Sequence, residues 1–193
     1  MHRFIFRYCL IIVACAACNT HSSSRDEVVV SKEFEDAVKN NDTGLAKKIA
    51  QEELVKSRAS ITDSSFAALL DASLLLEDFE FKIQKNDSSM LDDQYLKKLY
   101  SFMTRVYDFA LKRSTQKSDQ DYYALKVKVP GDNWISGNFK NKTTKELRIA
   151  LLLLKEDVAI ASGIINGADT IEGRQEIEES YKNSIKIIKE SNQ

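Results

Sequence analysis

The chain has 193 residues, 43% of them hydrophobic and 30% charged, with a formal charge of −1; this suits one domain with a substantial core and excludes a disordered or collagen-like chain. One Pro and six Gly are too few for the frequent turns of sandwiches and barrels, so the composition argues against an all-β fold and for long helices. The only histidines are His2 and His21, and the cysteines Cys9, Cys15 and Cys18 all fall in the first eighteen residues. Everything from Arg25 onward therefore lacks the two side chains that most often act as nucleophile, base or metal ligand. We expect no catalytic residues, no metal and no cofactor, and read the chain as a non-enzyme.

The amino terminus has the layout of a secretory signal. His2, Arg3 and Arg7 form a basic region, the apolar run from Tyr8 to Ala17 follows, and Cys18 opens a polar, serine-rich stretch. A run of ten residues is about half of what a membrane-spanning helix needs. Small residues ahead of a cysteine resemble the lipobox of bacterial lipoproteins, in which the cysteine becomes the acylated first residue of the mature chain. Cys18 is the lipidation candidate because it leaves the longer apolar region and the polar tether; Cys15, preceded by Ile12, Val13 and Ala14, is the alternative. The organisation expected is thus a signal peptide over 1–17, a lipidated cysteine with a flexible tether over 18–30, and a helical domain over 31–193. Cleavage at Cys18 leaves no second thiol, so no disulfide staples the domain.

Helical spacing begins near Ser31. Phe34, Ala37 and Val38, then Leu45, Ile49 and Leu54, describe two short helices, with Asp42 as a candidate N-cap between them. Thr62 or Asp63 opens a third helix whose Phe66, Leu69, Leu70, Leu74, Leu75, Phe79, Phe81 and Ile83 cover most of its circumference, as in a central element. Asn86 to Ser89 reads as a turn. A fourth helix, from Leu91 to about Gln116, carries Tyr95, Leu99, Phe102, Met103, Val106, Phe109 and Ala110 on one side. Thr143 and Glu146 have the spacing of a capping box and open a fifth helix, apolar nearly all round from Leu147 to Ile165. Lys155, Glu156 and Asp157 in its middle argue against a transmembrane span. The stretch from Gly163 to Gly167 reads as close helix packing or a C-cap. Asp169 and Glu172 repeat the capping spacing before a sixth helix with Ile177, Tyr181, Ile185 and Ile188 on one stripe. The fold class is all-α: a single compact bundle of about five to six helices.

One stretch resists this pattern. Residues 117–142 contain the only Pro, Pro130, the only Trp, Trp134, and two of the six Gly, and read as one long irregular loop, with a short helix conceivable in its first part. Trp134, with Phe139 nearby, reads either as an interface anchor or as a plug folding the loop onto the bundle; Tyr122 and Tyr123 divide the same way. The carboxylates Glu77 and Glu80, Asp92 and Asp93, and Glu176, Glu178 and Glu179 read as solvated helix faces.

Charge is distributed unevenly. From Lys97 to Arg148 there are 12 basic and five acidic residues, a net of +7, whereas the rest of the chain from Cys18 has 14 and 24, a net of −10. Lys126, Lys128, Lys140, Lys142, Lys145 and Arg148 surround the long loop. Either these charges form a basic patch that speeds encounter with an acidic partner, or opposite charges distant in sequence intermix in space. The candidate partner-binding residues are Trp134, Phe139, Tyr122, Tyr123, Lys126, Lys128, Lys140 and Lys142.

Cys18 with its Asn19-Thr20 tether, the Lys-, Asn-, Ser- and Ile-rich composition, the absence of later cysteines and the helical pattern together resemble the borrelial surface lipoproteins. Among them the chain is similar to the factor H-binding, complement regulator-acquiring lipoproteins of the relapsing-fever group, in architecture over its whole length and in motif over Met1 to Ser24. That resemblance implies an outer-membrane, cell-surface protein, anchored through its acyl chains, that captures complement factor H, and plasminogen as a second ligand, for immune evasion. No binding residue carries over by motif. Two other classes stay open: an adhesin for glycosaminoglycan or extracellular matrix, and a periplasm-facing structural lipoprotein. No nucleic acid and no small-molecule substrate is expected.

Overall fold

In a computed structural model, the structure describes residues 63–191 and a few positions between 32 and 52. The expected signal peptide, Cys15, Cys18, the expected tether and nearly all of the two short helices read between Phe34 and Leu54 lie outside the described residues. Chain contacts divide into two units, Met1–Ser60 and Ile61–Gln193. Among the described residues of the second unit there are six α-helices and no strand: α1 (Ser64–Lys85), α2 (Asp93–Arg113), α3 (Lys117–Lys128), α4 (Gly131–Asn138), α5 (Thr144–Asn166) and α6 (Ile171–Glu190), with a 3-10 turn at Ser88–Leu91. No described helix is long and apolar enough to cross a membrane.

Local chemistry sets the helix ends. Asp63 caps α1, its carboxylate accepting from the amides of Ser65 (2.8 Å) and Phe66 (3.0 Å). Asn86 ends α1 in the left-handed region at φ 53°, and the Asp87 amide returns to the Lys82 carbonyl. The Thr143/Glu146 capping box forms as the sequence indicates: the Glu146 amide donates to the Thr143 hydroxyl, and the Glu146 carboxylate accepts from the Thr143 amide. Gly167, at φ 67°, closes α5, with the Ala168 amide reaching the Gly163 carbonyl. At α6 the cap differs from the expected one. Thr170, not Asp169, accepts from the Gly173 amide at 3.0 Å, and Asp169 pairs with Arg174 instead.

The centre of the unit also differs from expectation. Amphipathic α2 packs against α1, α3, α4 and α5, while apolar α5 packs against α1, α2 and α6. Leu99, Met103, Val106, Tyr107 and Ala110 on the buried side of α2 meet Leu76, Phe79 and Ile83 of α1 and Leu147, Leu151, Leu154 and Val158 of α5 in one core. On α1, by contrast, Phe81 is exposed, so its apolar circumference is not wholly covered. The α6 stripe is seated on Tyr181, with Ile177, Ile185 and Ile188 half-buried beside it.

The stretch from 117 to 142 is not a long irregular loop. It is two short helices, α3 and α4, joined at Val129 and Pro130. Gly, Asn and Asp in α4 favour turns locally, but burying Trp134 and Ile135 stabilises a helix there by more than these residues disfavour it, so tertiary packing overrides propensity.

Candidate functional site

Trp134 is the plug of the core. It is 5% exposed, and its ring lies 5.6 Å from that of Tyr100 and 5.4 Å from that of Phe139, which in turn stands 5.1 Å from Phe79. Tilted ring pairs at these spacings add to the area they bury. Close approach is possible because Gly131 has no side chain: a Cβ there would lie 3.1 Å from the Tyr100 ring, whose hydroxyl donates to the Val129 carbonyl at 2.9 Å. Trp134 and Phe139 therefore present no surface to a partner, which corrects the interface reading of both. Tyr123, 1% exposed between Tyr107 and Tyr122, is corrected likewise.

Helix α3 is two-sided. Asp119 and Tyr123 face inward and are its only buried residues, whereas Tyr122 (43% exposed), Leu125 (69%) and Lys128 face solvent. The sequence pattern alone does not single out Leu125. Its signal becomes visible once α3 is taken as a helix, because two residues on from Tyr123 is roughly 200° round the axis.

Beneath α3 sits Asp157, a buried carboxylate from the middle of α5. It accepts from the hydroxyls of Tyr107 (2.7 Å) and Tyr122 (2.5 Å) and from the Lys126 ammonium (3.0 Å). Lys126 also lies 4.9 Å above the Tyr122 ring. Burial, reinforced by the Asp157 charge, pushes the hydroxyls of Tyr107 and Tyr122 well above the usual phenol range. Lys126, its side chain 32% exposed, is thus tied to a buried carboxylate and is not a free surface cation. A second clasp adjoins the first: Arg174 of α6 donates to both oxygens of Asp119 (2.7 and 2.6 Å) and to both of Asp169 (2.8 and 2.5 Å). An open cleft of about 180 Å³ lies beside it, lined by Gln116, Asp169, Ile171, Arg174, Gln175 and Glu178.

The remaining lysines divide. Lys128 and Lys140 are exposed and Lys142 half-buried, and among the described residues none of the three stands in an ion pair with a carboxylate. Lys145 instead caps α6, donating to the carbonyls of Lys189 (2.7 Å) and Ser191 (2.9 Å). Nor are Glu77 and Glu80 simply solvated, as their sequence context suggests. Both hold Lys155 of α5 at 2.6 Å. On α3 the geometry leaves an aromatic and aliphatic pair, Tyr122 and Leu125, facing outward on a helix that ends in Lys128; Phe81, Ile171 and Ile187 are exposed elsewhere. In comparison with known proteins, no family model, no curated protein and no solved structure matches this chain.

Proposed function

We propose that this protein is a lipid-tethered binding module at the cell surface, and that it captures a host protein on the outward face of α3. The observation that carries this reading is Leu125, 69% exposed beside Tyr122, on a helix whose inner side is fixed by Asp157 and Arg174. An exposed aromatic and a large aliphatic side chain on a rigid element are the kind of anchors that dominate protein interfaces. Lys128 beside them, and Lys140 and Lys142, supply positive charge that would steer an acidic partner. The amino-terminal lipobox-like segment supports the tether, since several acyl chains at about 0.8 kcal/mol per buried methylene hold a protein firmly at a membrane. The resemblance to complement regulator-acquiring lipoproteins makes factor H the first ligand to test and plasminogen the second.

The test is capture from serum by the full chain in detergent, with identification of what is retained. Leu125→Ser and Lys128→Glu should each reduce capture by about tenfold or more, a hot-spot loss of at least about 1.4 kcal/mol. Retention of no serum protein by the unaltered chain, or equal capture by both variants, overturns the reading.

A further inference from the structure

We infer that α6 is a strap that opens on its own, baring a second apolar stripe of α5 while the core of the bundle stays closed, and that Arg174 is its latch. The face that α5 turns to the core is the run Leu147, Leu151, Leu154, Val158, Ala161 and Ile165, spaced by threes and fours as on one side of a helix. A second run with that spacing, Lys145, Ile149, Leu152, Glu156, Ala159 and Gly163, is centred roughly 160° away round the axis. Three of its members mark it as the side on which α6 lies. Lys145 donates to the carbonyls of Lys189 and Ser191. Glu156 is held above the usual carboxylate range by burial, then by the charges of Asp157 and Glu178. A Cβ on Gly163 would stand 3.5 Å from the Asp169 backbone, just ahead of α6. The two sides of α5 belong to separate apolar layers. Neither Ala159 nor Tyr181, both buried, is part of the core that α1, α2 and α5 share, and Ile177, Ile185 and Ile188 of α6 do not pack against it. Of its twenty residues α6 buries Tyr181 alone, with those three isoleucines half-buried. Among the described residues it packs along α5, and it reaches α3 through Arg174, which clasps Asp119 of α3 and Asp169 of the α5–α6 turn together. A segment with few buried contacts of its own, fastened by polar ties near its two ends, opens at less cost than the whole fold.

The experiment uses the full chain and needs no partner. In the unaltered protein the slowest amides of α6 should exchange about a hundredfold faster than the slowest of α2; equal rates would make the two one cooperative unit and overturn the inference. Arg174→Gln, which removes charge-assisted hydrogen bonds, should speed α6 exchange about tenfold further with α2 unchanged, and unaltered exchange in α6 overturns the latch. Thiol labelling then reads which face is bared. Ala159→Cys and Ala161→Cys place the same small side chain two residues apart, one on each run, and peptide masses separate them from Cys9, Cys15 and Cys18. The thiol of Ala159→Cys should react at least about tenfold faster than that of Ala161→Cys. Adding Arg174→Gln should speed the first by about tenfold and leave the second as it was. Labelling of Ala159→Cys that ignores Arg174→Gln, or that rises equally at both positions, overturns the inference. The exchange comparison in the unaltered protein decides the strap even where a variant folds poorly.

Discussion

Lys155 stands between Glu77 and Glu80, 2.6 Å from each, joining the middle of α5 to the second half of α1. Its side chain is 13% exposed, theirs 28% and 34%. Removing the ammonium would leave two carboxylates one helical turn apart against an apolar core. Surface pairs contribute about 0–1 kcal/mol and loss of one partner of a buried pair costs about 3–5 kcal/mol; this half-buried triad lies between. Lys155→Met should therefore destabilise the protein by about 2 kcal/mol in urea unfolding, and adding Glu77→Gln with Glu80→Gln should restore part of it. A loss under about 0.5 kcal/mol would place the triad with ordinary surface pairs.

Stability should fall at both ends of the pH range, for different residues. Asp63 is held below the usual carboxylate range by the Ser65 hydroxyl and then the Phe66 amide, Asp87 by the Ser89 amide and hydroxyl, and Glu146 by the Thr143 amide and hydroxyl. Depressed carboxylates contribute stability that is present above their unfolded values, about 4, and lost as pH falls through the folded ones. On the alkaline side, burial and then neighbouring carboxylates raise Tyr95, Tyr107, Tyr122 and Tyr123. Burial pulls Lys155 down, but Glu77 and Glu80 outweigh it and raise it. The folded state then keeps protons that the unfolded chain releases above about pH 10, so stability is full below that value and declines above it. Thermal midpoints measured against pH should form a plateau with both flanks falling. Tyr107 and Tyr123, the two buried ones, should ionise together with unfolding, as seen in tyrosinate absorbance; their smooth titration near pH 10 in a still-folded protein would contradict the buried geometry.

Trp134→Ala should cost about 4 kcal/mol, because it opens a cavity between Tyr100 and Phe139. The unaltered protein should show a blue-shifted tryptophan emission that resists aqueous quenchers. Strong quenching in the native state would mean that the ring faces water.

Much of the bundle is legible in the sequence because its signals are local. A cap acts within four residues, and so Asp63 and the Thr143/Glu146 box can be read directly; the α6 stripe repeats every turn. Helix α3 is legible only as a short helix without a face, because its apolar residues do not line up and Leu125 points away from Tyr123; α4 is not legible because it is composed largely of turn formers held helical by Trp134 and Ile135. The candidate site is half legible. Tyr122, Lys126 and Lys128 stand out by type, but Asp157, 31 residues from Lys126 and 50 from Tyr107, can be assigned to them only once the fold has closed. The same distance hides the role of Lys126, which has the sequence context of a surface charge and proves to be an internal tie.

The place of α2 among its neighbours has a kinetic meaning. Three of the elements it packs against, α1, α3 and α4, lie close before or after it in the chain, so the contacts that build the centre close short loops. Folding rates rise as contacts become more local. On this topology the contacts among α1 to α4 close short loops, whereas α5 closes longer ones to bring Lys155 to α1 and Asp157 to α2 and α3.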